Sequence, residues 1–173
     1  CSPAEGIAKS LAFFGIAPGD ADGALLASVL SQVIRGLLEP TAAVISAKVC
    51  ADDEVVQASK TLTCPCCGSP AALSCVLMGA ENQGNARRVY CDACGAVWPF
   101  ERVRCALCGT TNSNKLKYVH GEGDPALRLH VCQECGGVMP TVFQEQLGRD
   151  IDYAVELDAI APLARQYTEE AGK

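Results

Sequence analysis

Between Cys64 and Pro140 the chain carries four Cys-x-x-Cys pairs, Cys64/Cys67, Cys91/Cys94, Cys105/Cys108 and Cys132/Cys135, and nothing else restricts its folding as severely. Two sulfurs three positions apart on a tight turn lie on one side of a backbone knuckle. Two knuckles face to face supply the four thiolates of a tetrahedral metal site. Four knuckles therefore predict two metal sites. Gly68, Gly95, Gly109 and Gly136 each follow the second cysteine of a pair, where a positive φ lets backbone amides point at a thiolate sulfur.

An internal repeat suggests how the pairs combine. There are 23 residues between Cys67 and Cys91 and 23 between Cys108 and Cys132, and the second half follows the first at an offset of 41 positions. The same offset superimposes Arg87 on Arg128, Val97 on Val138, Trp98 on Met139 and Pro99 on Pro140. Each half reads as knuckle, hairpin, knuckle. Cys64/Cys67 then joins Cys91/Cys94, and Cys105/Cys108 joins Cys132/Cys135. The competing scheme pairs Cys91/Cys94 with Cys105/Cys108 across residues 95–104.

The 12 cysteines are about 7 per cent of 173 residues, and eight of them fall in these pairs, a spacing that fits thiolate-bound metal in a reducing compartment better than a disulfide framework. The chain opens on Cys1 rather than Met, as expected of a truncated N-terminus. With neither a secretion signal nor an apolar run of about 18 residues, a soluble, cytoplasmic protein with no membrane contact is expected. The formal net charge is -6, and a divalent ion in each four-thiolate site takes it to about -10, which disfavours nucleic acid. Residues 64–140 are nearly balanced, with seven Lys/Arg against six acids. The rest is acidic.

Residues 3–14 read as a short helix, and Pro18-Gly19-Asp20 as a turn. From Ala21 to Leu38 apolar positions including Leu25, Val29, Val33 and Leu37 recur at helical spacing and predict one buried stripe. Pro40 is expected to start a further helix through Val49, and Asp52-Asp53-Glu54 a short one through Lys60. Strands are expected at 72–77, 87–90, 116–119 and 127–131, with turns at Asn82, Gly84 and Asn85 and at 121–125. A last helix is expected over 151–167, with Pro162 interrupting it or marking a second helix, and 168–173 fray.

The remaining reactive residues read as structural. Cys66, between two proposed ligands, should point away from the metal, and Cys1, Cys50 and Cys75 read as small apolar or incidental thiols. His120 and His130 are not needed by complete thiolate sets. Trp98 is expected to cover the first site. Arg87, Arg88, Arg102 and Arg104 read as solvated strand faces rather than an anion or peptide contact. No serine or cysteine has the partners of a nucleophile, and no phosphate loop is present, so no catalytic residue is assigned.

Cys64-Pro65-Cys66-Cys67-Gly68-Ser69-Pro70, Ser74, Gly79, Cys91-x-x-Cys94, Trp98, Arg102-Val103, Cys105-x-x-Cys108-Gly109, Cys132-x-x-Cys135-Gly136 and Leu157-Asp158 together resemble the formate dehydrogenase accessory protein FdhE family. The resemblance covers Cys64 to Tyr167. It implies a cytoplasmic assembly factor with two rubredoxin-like metal sites, iron favoured over zinc, and no formate-oxidising activity of its own. The implied partner is the catalytic subunit of a respiratory formate dehydrogenase before twin-arginine export, its signal peptide being a candidate contact; a homo-oligomer is left open.

The expected fold is α+β, with two tandem rubredoxin-like or zinc-ribbon lobes of small antiparallel hairpins packed with N- and C-terminal helices. The expected division is 1–61 helical, 62–103 first metal lobe, 104–143 second metal lobe and 144–173 helical. The ligands are Cys64, Cys67, Cys91 and Cys94 for one metal, and Cys105, Cys108, Cys132 and Cys135 for the other. Two other functions compete with the chaperone, a rubredoxin-like electron carrier and a zinc-ribbon nucleic-acid-binding module. A minimal carrier needs no helical extensions, so the helices suggest a groove against the ribbons for a partner segment.

Overall fold

The computed structural model describes residues 2–13, 16, 21–51, 61–78, 86–120 and 123–171. Each half of the repeat forms three antiparallel strands, and the alternation of apolar with polar residues that favours them is clearest in Leu127-Arg128-Leu129-His130-Val131. In the first half these are β1 (Leu73–Leu77), β2 (Ala86–Tyr90) and β3 (Val97–Pro99); in the second, β4 (Leu116–Val119), β5 (Leu127–Cys132) and β6 (Val138–Phe143). The strands β3 and β6 were not expected as such. Turns anticipated at Pro18–Asp20 and Asn82–Asn85, the helix at 52–60 and Cys1 lie outside the described residues.

The two halves share one six-stranded sheet of order β3-β2-β1-β6-β5-β4. Its centre is a parallel pairing of β1 with β6, Ser74 opposite Thr141, Cys75 opposite Val142 and Val76 opposite Phe143. The repeat breaks here for a local reason. Strand β6 continues past Pro140 through Thr141-Val142-Phe143, three good strand formers, whereas the matching positions after Pro99 are Phe100-Glu101-Arg102, which turn away. Pro140 lacks a donor, and it pairs only with Leu129 of β5, one position before the β1 register begins.

Helices cover both faces of the sheet. Helix α1 (Pro3–Phe13) and helix α2 (Ala21–Ala51) form a hairpin, and the C-terminal part of α2 lays Leu38, Ala42 and Val49 on a core containing Val89, Trp98, Phe100 and Met139. After a single turn, α3 (Gln144–Leu147), that ends on left-handed Gly148, helix α4 (Tyr153–Ala171) packs Leu157, Ile160 and Leu163 against Leu73, Cys75, Leu129 and Val142. Asp152 caps α4, its Oδ1 accepting from the amides of Ala154 and Val155.

Three expectations about the helices are corrected. Pro40 lies inside the unbroken α2 instead of starting a new helix, on its exposed side, where the amide it lacks is missed only by the Gly36 carbonyl four residues before it. Likewise Pro162 does not interrupt α4, which runs to Ala171. The stripe expected to be buried is largely bare, with Leu25, Val29, Val33 and Leu37 at 67%, 52%, 55% and 74% exposure. The short α1 reaches a different face of α2, that of Leu26, Leu30 and Ile34.

Candidate metal centres

The four knuckles share one backbone closure. The amides of Cys64, Cys91, Cys105 and Cys132 donate to the carbonyls of Ser69, Ala96, Thr110 and Gly137 at 2.7, 2.9, 2.9 and 2.9 Å. In each case the span is five residues. The glycine after each pair has φ between +70° and +81°, the left-handed geometry that returns the chain without a Cβ clash. Amides inside the turn reach the first sulfur: Cys66 N lies 3.4 Å from Cys64 Sγ, and Leu107 N lies 3.4 Å from Cys105 Sγ.

The structure gathers these sulfurs into two groups, Cys64, Cys67, Cys91 and Cys94, and Cys105, Cys108, Cys132 and Cys135, all within 4.8 Å of one another in each group. The crossed combination of Cys91/Cys94 with Cys105/Cys108 does not form. Metal–sulfur bonds of about 2.3 Å in a tetrahedron set sulfur–sulfur separations near 3.8 Å. The first group shows 3.5 Å (Cys64 to Cys94) and 3.6 Å (Cys67 to Cys91), and the second 3.9 Å (Cys105 to Cys135) and 3.8 Å (Cys108 to Cys132). Both donor sets fit iron or zinc, and each group can hold one metal ion. Without an ion, four close sulfurs cannot all ionise. The hydrogen bond from Cys91 draws Cys64 down to about 5, and the same contact together with burial drives Cys91 far up.

The two groups differ in shielding. In the first, Cys64, Cys91 and Cys94 are buried in one core with Trp98, as expected for a dry cover. In the second, Cys108 and Cys135 are exposed. Cys66 stays outside the four-sulfur group, as expected of a thiol lying between two ligands. Cys75 is fully buried and Cys50 bonds the Val97 carbonyl at 3.8 Å, both consistent with structural roles.

Arg87 is the main residue that sequence reasoning misplaced. It is 2% exposed rather than solvated. Its Nε donates to Ser74 Oγ at 2.7 Å, its Nη1 to the carbonyls of Glu101 and Arg104 at 3.2 and 2.6 Å, and its Nη2 to His130 Nδ1 at 3.3 Å. One guanidinium thus ties β2, the inter-repeat segment and β5 together. Burial, then the Arg87 charge, pushes His130 down to about 4, so the ring is a neutral acceptor. His120 is exposed. The one available signal was that Arg87 shares the period-two face of β2 with the apolar Val89, which is buried.

A six-stranded sheet bearing two four-cysteine knuckle sites, with helices on both faces, defines a tandem rubredoxin-like metal-binding protein. The comparisons narrow this. An FdhE homolog from Stutzerimonas stutzeri is 32% identical over 83 residues, 47% of this chain and 26% of the relative. Homologs from Rhizobium meliloti and Aquifex aeolicus are 30% and 27% identical over 84 and 79 residues. The crystal structure of the FdhE protein from Pseudomonas aeruginosa superimposes with a TM-score of 0.51 at 22% identity, covering 63% of this chain and 37% of that one, and shares the fold. No protein-family model matches. About half of the chain aligns with these FdhE homologs, and the match spans about a quarter of their length.

Proposed function

We propose that this chain is the metal-binding part of a formate dehydrogenase accessory protein. In this reading it binds the catalytic subunit of a respiratory formate dehydrogenase in the cytoplasm, before twin-arginine export, and oxidises no formate itself. The observation that carries it is the pair of four-sulfur groups on an FdhE-like sheet. Cys64, Cys67, Cys91 and Cys94 would hold one ion, and Cys105, Cys108, Cys132 and Cys135 the other. A bound ion supplies folding energy, on the order of 10 kcal/mol per site, and iron would add one-electron chemistry. The chain's own part is to pre-form the sulfur cages, keep water from the first with Trp98, and present the helical lobe to a partner.

The direct test is titration of the metal-loaded chain with purified catalytic subunit under anaerobic, low-salt conditions. Specific binding that weakens when ligand cysteines are replaced supports the reading. One observation favours the carrier alternative, the exposure of Cys108 and Cys135, because an open sulfur edge shortens the path for an electron. No association with the subunit, together with rapid reversible reduction by a ferredoxin-type reductase, would establish the carrier instead. Zinc would be colourless, whereas oxidised iron in four thiolates would be red.

A further inference from the structure

We propose that a cleft of about 400 Å³ between the α1–α2 hairpin, the first metal site and helix α4 docks an extended, positively charged peptide segment, with Asp92 and Asp158 receiving its cationic side chains. This rests on the accessory reading above and gives it a location. Its walls come from three distant stretches of sequence: Ile7 and Arg35 from the hairpin, Ser69 and Asp92 from the two knuckles of the first site, and Leu157 and Asp158 from α4. It is the place where the helices meet the first ribbon.

Three observations identify the occupant. Asp92 and Asp158 are exposed, and among the described residues neither carboxylate forms an ion pair or hydrogen bond. Arg35, the cation in the cleft, is already committed: Nη2 donates to the Tyr90 hydroxyl at 2.6 Å and Nη1 to the Asp92 carbonyl at 3.4 Å. It is outnumbered by the two carboxylates, and because Asp92 lies between Cys91 and Cys94, a loaded first site adds about -2 beside the cleft. The local field therefore selects a cation. Finally, Ser69 on the wall is 4% exposed, and among the described residues its hydroxyl has no hydrogen-bond partner. Buried polar atoms are rarely left so, and a small shift of the wall that covers the hydroxyl would let a peptide backbone group complete it. Ile7 and Leu157 offer apolar wall to the stems of Arg or Lys side chains whose heads reach the carboxylates.

The test is fluorescence anisotropy of the metal-loaded chain with a fluorescein-labelled synthetic peptide bearing two adjacent arginines followed by leucine and alanine. Saturable binding is expected at low salt, lost when both arginines are citrulline. Asp92→Asn combined with Asp158→Asn should weaken it about tenfold, while the charge-matched pair Glu145→Gln with Asp150→Asn should leave it unchanged. Ser31→Lys, which adds a fixed cation to the same cleft, should also abolish binding with metal content unaltered. No saturable binding, or equal weakening by the two double variants, would overturn the proposal. Titration with the catalytic subunit separates this from the accessory reading. If the subunit binds the wild type and the Asp92/Asp158 variant alike, the cleft is rejected and the accessory reading stands. If the peptide binds in the cleft and the subunit does not bind at all, the accessory reading fails and the cleft stands.

Discussion

At Gly68 the chain adopts φ +73° with nothing within 4 Å of the place a Cβ would occupy, so an alanine there meets conformational strain and no clash. Gly68→Ala is expected to cost about 1–2 kcal/mol of stability, read by urea unfolding of the loaded protein. A loss below the error of that measurement would show that the knuckle relaxes. Arg87 acts differently, through its four bonded partners. Replacing it with Met leaves Ser74, two carbonyls and His130 unsatisfied, and a loss of about 2–4 kcal/mol is expected, with Arg87→Lys recovering only part. Cys75 reports on pH. Burial, reinforced by Glu156, raises its thiol from 9.0 to about 12, so the unfolded chain loses this proton first as pH rises. Its contribution is complete below pH 9 and declines towards pH 12; unfolding at pH 8 and pH 10 should differ more for the wild type than for Cys75→Ala.

Among the elements, α2 shows how little a proline decides once a helix is held by packing. Leu38, Ala42 and Val49 fasten it to the first ribbon on both sides of Pro40, while Pro40 itself is exposed and leaves the Gly36 carbonyl without its helical donor. Pro40→Ala restores that bond, and the stability should rise by about 1–3 kcal/mol in calorimetry. An unchanged or lower transition would mean that the stiffness Pro40 gives the unfolded chain outweighs the missing bond. Strand β6 is the other element with an outsized role, since the strand pairing between the two halves runs through its last three residues.

At the scale of the whole molecule, the shared sheet makes the second half dependent on the first. A piece containing residues 104–173 is expected to bind one metal ion yet self-associate in sedimentation, because β6 then offers an unpaired edge and Val142, buried in the whole chain, is uncovered. Replacing Cys91 and Cys94 together should lower metal content from two ions to one by elemental analysis. Much of this was legible in the sequence because it is local. A Cys-x-x-Cys-Gly turn closes on itself, the offset of 41 positions repeats it, and the two facts together bring the right sulfurs into each group. The periods of α1, α2, α4, β1, β2, β4 and β5 were readable too, since they depend on neighbours three, four or two positions away, whereas β3, β6 and the continuity of the helices through Pro40 and Pro162 were not. What the chain could not show was which side of each element would be covered. Leu25, Val29, Val33 and Leu37 have the spacing of a core and lie in the open, and Arg87 has the chemistry of a surface and lies inside. Both outcomes follow from the parallel meeting of β1 with β6 and from the short reach of α1, contacts between residues far apart in sequence. Such contacts leave no periodic trace, because they depend on the relative placement of finished elements and not on the order of residues within any one of them.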